Sequence, residues 1–258
     1  SGEVMAEVVG EWRRAGSPCR GALVLWLKDM LPGAGLGVVD HDGRPKVAYH
    51  YLRRAFAPVA VWMTDEGVNG VAIHLANDRS APFEGRLRLG LYHGFEARVD
   101  EVSEQLSLSA HTATTTTVER MLGRFVDAAW AYRFGPPAQD VIVASLESAD
   151  GGALHSQAFR FPAGLPSTPV TSAQLGLEAT AVGNDAGYAV RVRSRRLAYA
   201  VRVHARGFVA DDDAFSVEPG GERVISLRHA GPAVVTGFTG TVTALNARDG
   251  VKIDADRT

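Results

Sequence analysis

Three glutamates, Glu3, Glu7 and Glu11, recur every four residues. Paired carboxylates are the raw material of general acid and base work. On a helix, though, this spacing lines all three along one face, and a run of like charge reads as a solvated surface. Gly33-Ala34-Gly35-Leu36-Gly37 follows an apolar run, where phosphate-cradling loops are found. Its glycines miss the G-x-G-x-x-G spacing and no helix opens behind them, so a plain loop is expected. Asp211, Asp212 and Asp213 lack the spaced ligands and fixed glycine of a calcium loop and read as a solvated turn. The eight histidines are scattered and the one cysteine, Cys19, has no partner. There is no pair at metal-ligand spacing and no G-x-S-x-G elbow. The residues therefore call for no metal and no cofactor.

Two further patterns have a binding reading. Val190-Arg-Val-Arg-Ser-Arg-Arg196 and the stretch Arg202 to Arg206 are locally basic. On a strand Arg191 and Arg193 share one face, opposite the valines, and a wet sheet face is favoured over a site for an anionic polymer. Trp130, Tyr132 and Phe134 recur at period two. If the segment is extended they form a platform on which a sugar ring could stack; core packing is the favoured expectation.

The elements that position these residues follow from hydrophobic period. Residues 3–15 read as a helix, with Val4, Met5, Val8, Val9 and Trp12 on one stripe and Gly16 as its stop. Gly21-Ala-Leu-Val-Leu-Trp-Leu27 is a continuous apolar run without alternation, which predicts a strand buried on both faces. The turn Asp40-His-Asp-Gly43 and Pro45 precede a second helix, Lys46 to Phe56. After Pro58 the period becomes two. Strands are expected at 59–63, 70–76, 86–92, 97–102, 105–109 and 141–146, with one short helix around Val118 to Val126. A proline-rich linker, 162–170, leads to a second series at 174–182, 188–193, 198–205, 215–218, 223–228 and 240–246.

Composition bounds the function. The chain has 258 residues, 46% of them hydrophobic, with 27 basic and 29 acidic side chains and a net charge of −2. That argues against a nucleic-acid binder, which would carry a basic excess. No stretch approaches the ~18 apolar residues of a membrane span. The single cysteine and the absence of a visible leader favour a cytoplasmic setting.

Some of these residues also form a longer pattern: Glu11-Trp12-Arg13-Arg14, the run from Gly21 to Asp29, Pro32, Val38 to Tyr49, and Arg54-Ala-Phe-Ala-Pro58-Val59. Together they resemble the end of the catalytic barrel in β-mannosidases of glycoside hydrolase family 2. That family closes its barrel with a W-Q-L-N-D-x-W-P strand and loop. An I-D-Y-x-G-R-P-K-x-x-Y turn and helix follow, then an F-A-P-V entry into β-sandwich domains. Asp29, Pro32, Asp40, Gly43, Arg44, Pro45, Lys46 and Tyr49 match without gaps. Asp211-Asp-Asp-Ala-Phe215-Ser-Val-Glu-Pro-Gly220 is similar to a D-N-x-F-x-x-x-P-G turn in the last sandwich of such enzymes. The family's strand-8 tryptophan aligns with Leu25, one place before Trp26, and its asparagine and second tryptophan fall on Lys28 and Leu31, which implies an altered sugar pocket.

The resemblance implies a mainly β fold, with two immunoglobulin-like β-sandwiches preceded by a short α/β segment from the end of a TIM barrel. The expected domains are 1–58, the terminal α/β unit of the (β/α)8 barrel; 59–161, the first sandwich; and 162–258, the second. A retaining glycosidase uses two carboxylates ~5–5.5 Å apart. In the resembled family both glutamates lie on earlier barrel strands, so no catalytic residue is expected here. The chain is then expected to be the C-terminal part, inactive alone, of an enzyme acting on β-linked sugars. Trp26 and Asp29, with Lys28 as a lesser candidate, fall at the barrel rim that builds substrate sites and are the expected substrate neighbours. The expected partner is a β-linked oligosaccharide or glycoside, reached through the parent enzyme, with no nucleic acid and no membrane. A homodimer would cover apolar surface left bare on 1–58. The competing reading is a non-catalytic carbohydrate-binding or adhesion sandwich.

Overall fold

The computed structural model describes residues 1–19, 21–185, 187–231 and 237–255. They fall into two compact units: 1–93 with 98–163, and 94–97 with 164–258. The fold is mainly β, as the patterning implies. Among the described residues no helix is long and apolar enough to cross a membrane.

The first unit opens with two helices. α1 (Gly2–Arg13) and α2 (Val47–Ala55) share a small core of Val9, Val38 and Leu52, flanked by Met5, Val39, Ala48 and Tyr49. Gly10 of α1 lies where a Cβ would come within 2.8 Å of the Trp62 ring, so only glycine lets the helix approach that closely. Arg13 then ties the helix end down. Its guanidinium donates to the carbonyls of Ala55 and Ala57, and pairs with Asp78 at 2.8 Å. The helix ends at Arg13, before the expected stop: Arg14 is already extended (φ −64°, ψ 152°), and Gly16, at φ 81°, lies in the turn behind it.

Between the helices the structure departs from the sequence reading. Residues 21–27 form no strand, and Leu23, Leu25, Trp26 and Leu27 are exposed. The backbone even turns left-handed at Trp26 (φ 65°). A parallel strand needs neighbours at both edges and cover on both faces. Among the described residues this stretch reaches a ladder only just past its end, in an isolated parallel bridge of Lys28 with Val39. The turn at Asp40–Gly43 is as read: Gly43 N–H donates to Asp40 O at 3.0 Å, with Gly43 at φ 85°.

Seven strands follow: β1 (Val59–Asp65), β2 (Val71–Asn77), β3 (Phe83–His93), β4 (Ala97–Leu108), β5 (Thr112–Thr117), β6 (Val141–Ser148) and β7 (Leu154–Arg160). A short helix, α3 (Val118–Leu122), lies between β5 and β6. Sheets ordered β1-β2-β5 and β4-β3-β6-β7 face each other over one core. Val61, Val71, Ile73 and Leu75 meet Leu87, Leu89, Leu91, Ile142 and Leu146 there. β3 keeps its leucines inside and turns Arg86 and Arg88 outward, as its alternation predicts. On that outer side Glu147, itself buried, accepts from both arginines at 2.6 and 2.8 Å. The segments 97–102 and 105–109, read as two strands, are one twelve-residue strand.

The second unit begins with α4 (Ser172–Leu175), a single turn closed by a capping box between Thr171 and Gln174. The expected strand from residue 174 therefore starts at 177. The strands are β8 (Leu177–Asn184), β9 (Gly187–Ser194), β10 (Ala198–Ala205), β11 (Phe208–Ala210), β12 (Phe215–Val217), β13 (Glu222–His229), β14 (Gly240–Thr243), β15 (Val251–Lys252) and β16 (Asp254–Ala255). They form sheets β12-β10-β14-β15 and β11-β13-β9-β8-β16, antiparallel except where β16 joins β8. Val190, Val192, Val201, Val203, Phe215, Ile225, Leu227 and Val242 fill the core between them.

Candidate functional site

The expected substrate neighbours lie on the loop between the two helices of the first unit. Asp29 is its centre. Its backbone N–H donates to Val39 O at 3.0 Å, and Val39 N–H donates to Leu27 O at 2.9 Å, which sets the start of the loop beside its end. The Asp29 side chain, 5% exposed, then accepts from Gly37 N–H at 2.7 Å and from the Lys46 ammonium. Lys46 also donates to Gly35 O at 3.0 Å. The hydrogen bond and charge of Lys46, together with the Gly37 N–H, hold the Asp29 carboxyl below the usual carboxylate range.

This geometry explains the glycines. A Cβ at Gly35 would sit 2.2 Å from Asp29 Oδ1, and one at Gly37 would sit 2.6 Å away. The backbone has to wrap a carboxylate too closely for any side chain, so the Gly33–Gly37 segment is a carboxylate wrap and not a phosphate cradle. Lys46 had no assigned role in the sequence reading. Its place in the gapless Gly-Arg-Pro-Lys match, beside a buried aspartate in need of a cation, was the available signal. Trp26 (54% exposed) and Lys28 are solvent-facing next to this clasp.

Elsewhere the charged motifs resolve into structure. Glu3, Glu7 and Glu11 are exposed on α1, the solvated face expected. Asp211 Oδ1 accepts from Ser226 N–H at 2.9 Å, Asp212 pairs with Arg223 at 3.4 Å, and Asp213 pairs with Arg202 at 2.9 Å. Arg193 pairs with Glu222 at 2.6 Å on an open sheet face. Asp40, His41 and Asp42 bring ligand atoms within 4.8 Å of one another; they belong to the exposed turn described above. One groove of about 450 Å³ is lined by Trp12, Arg13, Phe56, Asp78 and His111. Its Arg13 is already committed to the carbonyls of Ala55 and Ala57 and to Asp78.

The aromatic pattern at 130–134 comes out against the favoured expectation. The segment is irregular, with Trp130 and Arg133 both at φ 52°, so period two does not put the rings on one strand face. The rings are not core: Tyr132 is 43% and Phe134 85% exposed.

What the fold and the clasp define is an architecture: two β-sandwiches led by a helix–loop–helix segment. In particular, the chain is similar to the β-D-mannosidase of Dictyoglomus thermophilum, with a TM-score of 0.70 and 16% identity over 99% of this chain and 29% of that one. It is also similar to the exo-chitosanase of Amycolatopsis orientalis, with a TM-score of 0.63 and 14% identity over 94% of this chain and 32% of that one. The chain spans about a third of the length of these structures, so the likeness is one of fold, in accord with the family 2 resemblance of its residues. No family model matches the chain, and no curated protein matches it.

Proposed function

We propose that this chain is the C-terminal portion of a family 2-type retaining glycoside hydrolase acting on β-linked sugars, β-mannosidase-like in its architecture. Residues 1–58 are read as the last α/β unit of the (β/α)8 barrel, and 59–161 and 162–258 as its two immunoglobulin-like sandwiches. The observation that carries this reading is the bare apolar stretch Leu23, Leu25, Leu27, Met30, Leu31 and Leu36, exposed between two ordered helices. Removing such surface from water is worth ~25 cal/mol per Å², and neighbouring barrel strands are what would remove it. The near-complete overlay on β-glycosidase structures supports the same reading.

In this role Asp29 is a positioning residue. Held by Lys46 and Gly37, it fixes the loop that presents Trp26 and Lys28 at the rim. The nucleophile and the acid/base belong to the portion upstream, and the chain alone does not hydrolyse. A longer product of the gene, carrying the upstream coding sequence, should cleave p-nitrophenyl β-D-mannoside or β-D-glucosaminide, while the 258-residue chain releases no nitrophenol. Turnover by the chain alone, or none by the longer product, overturns the proposal. The exposed rings near residue 132 favour one other reading, a non-catalytic sugar-binding module, which predicts sugar binding without hydrolysis by any product of the gene.

A further inference from the structure

We infer that the loop 125–135 is a saccharide-binding platform separate from the clasp at Asp29, taking a pyranose unit by stacking on Phe134, which Tyr132 backs. The loop is built to hold rings outward. Val126, Ala128 and Ala129 anchor its base in the core. The Asp127 carboxylate accepts three successive backbone N–H groups, from Ala131 at 2.8 Å, Tyr132 at 3.1 Å and Arg133 at 3.2 Å. Buried Gln139 donates to Asp127 O at 3.1 Å, and Trp130 Nε1 donates to Gly135 O at 2.9 Å. Two non-glycine residues, Trp130 and Arg133, are kept at positive φ, a backbone cost that persists only where the surroundings over-determine it.

The rings this frame displays are ordered against one another. Tyr132 and Phe134 stack with centroids 5.5 Å apart and planes 20° apart. Phe125 meets Tyr132 edge-on at 5.6 Å. The Tyr132 hydroxyl donates to Val68 O at 3.2 Å, so the stack is tied to the neighbouring β1–β2 connection. Phe125 is 63% and Phe134 85% exposed. The Arg133 guanidinium lies 5.1 Å from the Trp130 ring centroid, at the same loop.

Size decides between ligand classes. At these exposures the three rings offer on the order of 400 Å². A stable protein interface needs about 800 Å² per partner. An exposed ring held on a rigid loop, with a guanidinium carried by the same loop, suits the C–H face and hydroxyl rim of a sugar. The choice of β-linked sugars rests on the function proposed above; the platform itself rests on the loop.

The 258-residue chain should bind at least one of β-1,4-linked mannotriose, cellotriose and the chitosan trimer saturably, read by calorimetry and by saturation-transfer NMR on the sugar protons. Phe134→Ala should weaken that binding at least tenfold with an unchanged circular dichroism spectrum. Phe134→Trp, which keeps a flat ring, should retain it within about threefold, and it keeps the test open if the alanine variant misfolds. Four outcomes overturn the inference: no saturable binding to any of the three sugars, binding that Phe134→Ala leaves intact, tighter binding of α-linked maltotriose, or self-association of the chain that Phe134→Ala abolishes. None of these measurements involves hydrolysis. The platform and the parent activity can therefore fail independently.

Discussion

Two stretches of this chain carry nearly the same sequence signal and meet opposite fates. Gly21-Ala-Leu-Val-Leu-Trp-Leu27, an unbroken apolar run, and Val141-Ile-Val-Ala-Ser-Leu146, broken by Ser145 alone, both read as buried strands. The second is β6, paired with β3 on one side and β7 on the other, and every residue from Val141 to Glu147 is buried. The first joins no ladder among the described residues beyond the bridge at its end, where Leu27 O accepts from Val39 N–H, and leaves Leu23 fully open to water. Apolar content sets the demand for cover, but the neighbouring strands supply it. A continuous run therefore identifies a segment that needs two partners, not a segment that has them.

The sharpest test of this contrast compares two leucine truncations. Leu146→Ala removes a side chain with no exposure from the centre of the first core. It should cost about 2–5 kcal/mol, seen as a lowered urea midpoint. Leu25→Ala, at 78% exposure, should stay within about 0.5 kcal/mol. Equal effects would mean that residues 21–27 are buried in solution, against the arrangement described here. In a longer product carrying the barrel, the Leu25→Ala effect should grow toward that of Leu146→Ala.

A smaller effect separates the two faces of β6. Its inner face is apolar, whereas its outer face holds Glu147 between Arg86 and Arg88. Burial pushes the Glu147 carboxyl up, but hydrogen bonds and charge from the two arginines outweigh this and leave it below its usual range. A carboxyl depressed on folding contributes stability above its unfolded value, ~4.3, and loses it as pH falls through the folded value. Glu147→Gln should therefore cost about 2 kcal/mol at neutral pH. This is less than the 3–5 kcal/mol of a fully buried pair, because both arginines keep some access to water. The difference from wild type should shrink as pH is lowered below about 4.5. A constant gap from pH 7 to pH 3, in urea titrations, would show that the charge contributes nothing.

How much was legible follows from the same physics. Strands with an apolar period, β1, β2, β3, β6, β9 and β10, fall where the pattern puts them, β10 to the residue. β5 does not: Thr112-Ala-Thr-Thr-Thr-Thr117 has the β-branched residues of a strand but no apolar alternation to announce a face. β7, Leu154-His-Ser-Gln-Ala-Phe-Arg160, is half-buried along most of its length and equally quiet. Tyr132 and Phe134 escape the core packing expected of aromatics in a sandwich because the Asp127 clasp bends the segment into an outward loop. At the candidate site Asp29 was found, but Lys46 and the two crowded glycines were not. Their roles come from a carboxylate wrapped by backbone eight residues further on, a contact with no local sequence period.

The smallest expected effect tests whether the loop owes its order to that wrap. Strands hold β6, but between residues 28 and 46 the order comes from one carboxylate, one ammonium and a few backbone bonds. Asp29→Asn keeps the shape and removes the charge that Lys46 meets. The sandwich cores do not touch the clasp, so the urea midpoint should be unchanged. Cleavage by thermolysin near Leu31 and Leu36, both exposed, should become several-fold faster, because local opening and not global unfolding limits cutting there. Gly37→Ala should do the same by a different route, since its new methyl would press on Asp29 Oδ1. With the Asp29 carboxyl held below its usual range by Lys46, the wild-type clasp is kept through mild acid and lost only as pH falls through that depressed value. Pepsin cleavage of this loop should therefore rise steeply only at the acid end, and Asp29→Asn should flatten that dependence. Cleavage rates identical in wild type and both variants would assign the loop's order to something other than its buried carboxylate.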